Sequence, residues 1–369
     1  MTNEAANDVL HKVETNSPFV HLRRLCDREW PAIAAAQTAT IGLLDEIDSL
    51  ELPAEENTSL VLFGSVGRAE VTKQSDLDWS ILIDGQSDPE HLTYAHQIDQ
   101  CLARLNRRGP GTTATFGGLT SSHELIHNVG GVHDTNLNLT RRMLLLLESR
   151  AVNNTIVHER VIRGILSRYI VCDRSVAWND HPVEPLTIVP RFLLNDFTRY
   201  WRTIAVDYAA KRWEQSEKKW AIRNAKLRMS RKLLFVAGLL LCFSFKLYGQ
   251  ELQEDMLGDI DTFAPSLANF LLPYVKMTPL ELLMTALVSE RCSAETIGLI
   301  LDSYDRFLAI LDDRQNRDHL EDLKFDTAAT DPLFSEIRKL SHDFQSGLDR
   351  LFYVESSQLP KLIRKYGVF

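Results

Sequence analysis

Between residues 18 and 50 the apolar positions recur at helical spacing, and Pro31 interrupts them, which predicts a helical segment broken near that proline. "PAEEN" reads as a turn. The run SLVLFG (59–64) is short, apolar and closed by glycine, the pattern of a buried strand. A second strand is predicted in DLDWSILIDG (76–85), with alternating carboxylates at its start, and ATFGGL (114–119) reads as a third. Residues 89–107 fit a helix and RRGPGTT a loop. NLTRRMLLLLESR (138–150) is strongly helical, with Asn138 or Thr140 as the cap. DRSVAWNDHPVEPLTIVP (173–190) carries three prolines and reads as a linker. Beyond it the pattern is helical almost throughout, from 191 to 250 and then in shorter segments.

This alternation predicts four parts. They are an N-terminal helical segment (1–55), an α/β (α+β) domain with a short mixed sheet (56–172), the linker (173–190) and an all-α helical-bundle domain (191–369). LLFVAGLLLCFSF (233–245) is the most apolar stretch. A membrane span needs about 20 such residues, and shorter runs are more often core helices, so it is read as the central helix of the bundle.

The composition, 44% hydrophobic and 25% charged over 369 residues, is that of an ordinary globular protein with a sizeable core. The net charge of −9 excludes a protein that coats nucleic acid with its whole surface. Five scattered cysteines without a C-x-x-C fit a reducing compartment, and a polar, acidic N-terminus without an apolar h-region fits a cytoplasmic protein. No membrane partner is expected, and nucleic acid is not favoured.

The chemistry concentrates in LFGSVGRAEVTKQSDLDWSIL (62–82). Side chains at i and i+2 of a strand share a face, so Asp76 and Asp78 are placed to share divalent cations while Leu77 enters the core. Gly64 lets the backbone approach a phosphate, and a short helix expected after it would offer free N–H groups. Ser65 adds a hydroxyl, and Arg68 a charged fork. Strand, phosphate turn and paired carboxylates in this order point to metal-assisted phosphoryl transfer.

The pattern G-S-x-x-R-x-E followed by S-D-x-D resembles the polymerase-β-type nucleotidyltransferases. It is most similar to the N-terminal domain of the uridylyltransferase of bacterial nitrogen signalling and its relatives, over roughly residues 20–250. The resemblance implies that residues 56–172 are a nucleotidyltransferase catalytic domain using two Mg²⁺ (or Mn²⁺) ions and an NTP substrate. The transfer is of a nucleoside monophosphate to an acceptor hydroxyl, with a protein side chain among the candidates. It further implies a third carboxylate in an L-E-A-R-like stretch. Here LLLLESRAV places Glu148 at the acidic position, making Asp76, Asp78 and Glu148 the implied catalytic and metal-binding set. The other reading of Glu148 is an ordinary exposed helix residue, and an incomplete set would leave a catalytically weak or inactive nucleotide-binding regulator.

Residues 199–232 hold eleven Lys and Arg against three acidic residues. On a helix Arg223, Lys226 and Ser230 share one face. The resemblance implies a helical domain that closes over the nucleotide, so Lys226 and Ser230 join Gly64, Ser65 and Arg68 as nucleotide-binding candidates. Trp213 and Trp220, seven apart, would form an apolar or stacking stripe. The other reading of the stretch is a solvated charged face.

One motif points elsewhere. HELIHNVGGVHD (123–134) fits the zinc-protease pattern, with His123, His127 and His133 as metal ligands and Glu124 as base. That reading needs a long helix. The preceding residues allow a start only near Ser121 or Ser122, about two turns before Gly130-Gly131. Met143, the nearest downstream methionine, lies in a helical run rather than in a turn beneath a metal. The segment is therefore read as a helix–turn shaping the acceptor side of the cleft, with a zinc metallohydrolase as the remote alternative.

Overall fold

The computed structural model describes residues 17–111, 115–177, 189–214, 219–249 and 260–367. It is a mixed α/β protein, dominated by helices around one small sheet. Helices α1 (Pro18–Cys26) and α2 (Pro31–Asp48) precede strand β1 (Thr58–Leu62). Each begins with proline at its first turn, where a missing N–H costs nothing. The break expected near Pro31 falls at residues 27–30, with Asp27 in the left-handed region at the end of α1.

Strand β2 (Trp79–Ile83) pairs antiparallel with β1 in the register Leu62↔Trp79 to Thr58↔Ile83. Helix α3 (Glu90–Ala103) then leads to β3 (Gly118–Ser121), which runs parallel to β2. Helix α4 (Ser122–His127), helix α5 (Asn136–Leu147) and the two-residue strand β4 (Arg150–Ala151) complete the first half. The sheet order is β3-β2-β1-β4, with β4 antiparallel to β1. The third strand lies some four residues later than its sequence pattern suggests, and β4 is too short to leave a pattern at all. Both β1 and β2 are buried along their whole length, so continuous apolar runs mark them better than alternation does.

Helix α6 (Thr155–Ala177) runs five residues into the expected linker, and residues 178–188 of that linker lie outside the described residues. Then follow α7 (Arg191–Glu214), α8 (Trp220–Lys226), a π-helical turn at Leu227–Arg231 and α9 (Lys232–Tyr248). Helix α9 contains the LLFVAGLLLCFSF run and is buried along most of its length, as its composition requires. Helices α10 (Ile260–Lys276), α11 (Pro279–Ser289), α12 (Ala294–Asp312), α13 (Arg314–Asp322), α14 (Pro332–Arg350) and the short α15 (Leu359–Leu362) close the chain. Among the described residues no single helix is long and apolar enough to cross a membrane.

The hydrophobic core does not respect the four parts read from the sequence. One apolar cluster extends from Phe19 and Leu22 on α1 through Leu145 on α5 and Phe243 on α9 to Leu359 on α15. A smaller cluster covers the other face of the sheet, joining Leu43 and Ile47 of α2 to Leu60, Leu62, Trp79 and Ile98. Helix α2 also reaches across to α12. Trp30 Nε1 donates to Asp302 at 2.8 Å, and the Ile33 amide donates to Asp305 at 2.9 Å. The N-terminal helices are thus packed directly onto the C-terminal ones.

Candidate functional site

The Gly64–Glu70 segment follows β1 as a run of tight turns, and the helix expected after Ser65 is absent. Its main chain closes on itself: the Arg68 amide donates to Gly64 O (3.0 Å), Ala69 to Val66 O (3.1 Å) and Glu70 to Ser65 O (2.8 Å). Gly64 takes φ +66° and Ala69 φ +54°, left-handed conformations that stop a helix from propagating. Two glycines also permit close approach. A Cβ on Gly64 would sit 3.0 Å from Asp78 Oδ2, and one on Gly67 only 1.9 Å from the Glu148 carbonyl oxygen. The turn is therefore pressed against both carboxylate-bearing segments at once.

Asp76 and Asp78 stand in the extended lead-in to β2 rather than on the strand itself, which starts at Trp79. The Phe63 amide still donates to Asp78 O at 2.9 Å, so the lead-in continues the β1–β2 ladder by one pair. The expected alternation holds, with Leu77 buried, Asp76 exposed and Asp78 between the two. Burial, then the charges of Glu148 and Asp76, push the Asp78 carboxyl up to about 6, against the lowering influence of Arg231 and Lys226. Such mutual repulsion between carboxylates is what a bound divalent cation offsets.

Glu148 is not an open carboxylate. It caps the C-terminal end of α5, is only 1% exposed and has each carboxylate oxygen taken by an arginine. Arg68 Nη1 donates to Oε2, and Arg231 Nη1 donates to Oε1 at 3.2 Å. Both guanidinium groups are held above their ordinary value: burial opposes the shift, and the neighbouring carboxylates, Glu148 for both and Glu70 for Arg68, outweigh it. Among the described residues no group of three or more His, Cys, Asp or Glu side chains is placed to hold a metal ion. The exposed-helix reading of Glu148 is overturned: it is a buried counter-ion.

In front of Glu148 opens a cavity of about 270 Å³ between the sheet domain and helices α7 and α8. Its cationic wall is Arg223, Lys226 and Arg231, and its apolar wall includes Phe116, Leu144 and Ile204. Tyr200, Tyr208, Thr115, Thr140, Thr203 and Leu227 complete the lining, with Asp207 as an acidic member beside Glu148. Burial and then the charges of Arg317, Arg231 and Arg68 lower Lys226 to about 8, while Asp76 opposes them. A crowd of like charges around a cavity is unfavourable alone and favourable around an anion.

The remaining predicted residues scatter. Arg68 is not in the cavity wall; its side chain is 10% exposed and lies behind Glu148. Ser230 is 3% exposed and does not line the cavity. The reason is the π-helical turn at 227–231, which inserts one extra residue per turn and breaks the 3.6 phase. The next polar residue after Lys226 on the cavity wall is thus Arg231, five positions on, and not Ser230. Sequence reasoning at helical spacing misses Arg231, although the basic run that contains it is plain. Trp220 is buried edge-on against Phe325 and Phe334, an apolar role, and the side chain of Trp213 lies outside the described residues.

HELIH forms the six-residue α4, and Gly130 and Gly131 follow with φ of +72° and +77°. The His123 and His127 rings lie 4.7 Å apart, centroid to centroid, and both are exposed, as is His133. The ordered residue of this segment is Asp134. It is buried, accepts both oxygens' worth of contact from Arg142 Nη2 (3.1 and 3.0 Å), and also accepts from Arg199 (3.0 Å) and the Gly130 amide (2.9 Å). Arg142, fully buried, further donates to Tyr169 (2.7 Å) and Asp196 (3.2 Å). The segment is pinned to α5, α6 and α7 by this cluster. Neither a protein-family model nor a curated protein matches the chain.

Proposed function

We propose that the protein is a metal-dependent nucleotidyltransferase that moves a nucleoside monophosphate from an NTP to an acceptor hydroxyl. One observation carries the reading: Asp76 and Asp78 stand beside the cationic wall of the cavity without lining it, close enough that Arg231 and Lys226 lower Asp78 and Asp76 raises Lys226. Arg231, Lys226 and Arg223 would receive the polyphosphate, and Phe116 with Tyr200 and Tyr208 offer flat apolar surfaces to a base. Asp76 and Asp78 would hold divalent cation, which when bound supplies charge neutralisation at the transferring phosphoryl group. Glycine at position 64 keeps the approach to Asp78 open, because a Cβ there would sit 3.0 Å from Asp78 Oδ2.

A second reading is favoured by Glu148. With both of its oxygens engaged by arginines, two carboxylates remain open for metal, which favours a site that binds nucleotide over one that turns it over. The protein would then be a nucleotide-binding regulator.

Incubation of the full chain with each α-labelled NTP and Mg²⁺ or Mn²⁺, with and without cell lysate, separates the two. Labelled product with release of pyrophosphate, lost in the Asp76→Ala, Asp78→Ala double variant, supports the transferase. Retained activity in that double variant overturns it. Saturable NTP binding without pyrophosphate release moves the assignment to the regulator. A zinc hydrolase would instead carry stoichiometric zinc, measured by elemental analysis.

A further inference from the structure

The C-terminal helices reach the site from beneath. Tyr304, on α12, is fully buried, and its hydroxyl donates to Glu70 Oε1. Glu70, 4% exposed, accepts from Arg68 Nε through its other oxygen at 2.7 Å. Arg68 in turn bonds Glu148, and Glu148 accepts from Arg231, whose side chain is 35% exposed on the cavity wall. Hydroxyl, carboxylate, guanidinium, carboxylate and guanidinium thus alternate in one chain, buried at its Tyr304 end and open to the cavity at its Arg231 end. Burial and the adjacent Glu70 charge keep the Tyr304 hydroxyl protonated, so it remains a donor.

A buried network of this kind always has a bland role, the satisfaction of polar groups that folding removes from water. Its connectivity gives it another. Each link shares a carboxylate between two donors, so the orientation of every member depends on the one before. Without the Tyr304 hydroxyl, Glu70 has an empty oxygen and draws Arg68 onto both of its oxygens. Glu148 then loses its inner partner, and its charge falls on Arg231, in competition with any anion in the cavity.

We propose that Tyr304 is a positioning residue which, through Glu70 and Arg68, holds Glu148 and Arg231 in the arrangement that leaves Arg231 free to bind a polyphosphate. This rests on reading the cavity as a polyphosphate site, and it gives α12 a part in that site although none of its residues lines the cavity.

The test is calorimetric titration of the full chain with inorganic tripolyphosphate in EDTA-containing buffer, which needs neither metal nor turnover. Tyr304→Phe should weaken binding by about tenfold, the order set by losing one charge-assisted hydrogen bond. Glu70→Gln, which keeps the shape and removes the charge that competes with Glu148 for Arg68, should not weaken it, and Tyr304→Phe added to it should cost less than in wild type. In an Arg68→Met background, where the chain is already cut, Tyr304→Phe should cause no further loss. A purely structural Tyr304 would lower stability equally in both backgrounds and leave tripolyphosphate affinity unchanged, and an affinity within twofold of wild type in Tyr304→Phe overturns the proposal. If tripolyphosphate binds as stated but no NTP is turned over, the transferase reading falls and the positioning role stands. If wild-type protein does not bind tripolyphosphate, both fall.

Discussion

Replacing Asp78 by the isosteric Asn should stabilise the metal-free protein, and the gain should depend on pH. Asp78 is pushed from 3.8 to about 6 by burial and by the charges of Glu148 and Asp76. A carboxyl that holds its proton more tightly in the folded state stabilises the fold below its unfolded value. That contribution is lost as pH rises through about 6. At roughly 1.4 kcal/mol for each tenfold change in proton affinity, ionised Asp78 costs the fold about 3 kcal/mol at pH 8 and about half of that at pH 5. Asn carries no charge and escapes the cost at both. The assay is guanidinium denaturation of wild type and Asp78→Asn in EDTA from pH 5 to pH 8, in which the difference between the two proteins cancels every other titrating group. The stability gap should widen toward alkaline pH by about 1.5 kcal/mol across this range, and adding Mn²⁺ should narrow it by stabilising the wild type alone. A gap that stays flat with pH, or a variant less stable at pH 8, would refute the picture of Asp78 as a repelled carboxylate.

Lys226→Met should reduce tripolyphosphate affinity about tenfold at pH 7; because Lys226 titrates at about 8, wild-type affinity should fall between pH 7 and pH 9 while the variant's curve lacks that step, and parallel curves would refute the assignment. Asp134→Ala should cost about 3 kcal/mol in urea denaturation, since it strips the fully buried Arg142 of one of its carboxylates, whereas His123→Ala with His127→Ala should change stability little because both rings are exposed; equal effects would contradict the distinction.

What the sequence made legible was local. Gly64, Asp76 and Asp78 lie within fifteen residues, and their spacing alone put Leu77 in the core and the two carboxylates outside it. The apolar runs of β1, β2 and α9 were equally plain, because burial on all sides leaves no alternation to misread. Glu148 was singled out without its partners, since its two arginines come from residues 80 positions before and 83 after it. Arg231 was hidden by a change of helical period that no propensity announces. Glu70 and Asp134 stand inside quoted motifs but take their roles from buried partners, and Tyr304 reaches Glu70 from 234 positions away with nothing adjacent in sequence to mark it. HELIH looked functional from five letters, while the residue that orders the segment is the aspartate that ends it.

The bonds from Trp30 to Asp302 and from Ile33 to Asp305 join residues 272 apart. During synthesis, at roughly 5–20 residues per second, α1 and α2 wait on the order of 15–50 s before the helix that receives them exists. Throughout that interval Leu22 and Ile33, both buried in the finished protein, lack the C-terminal part of the surface they pack on. Closing so long a loop places this chain among slow, topologically non-local folders, and makes its first fifty residues the part most in need of a chaperone's cover.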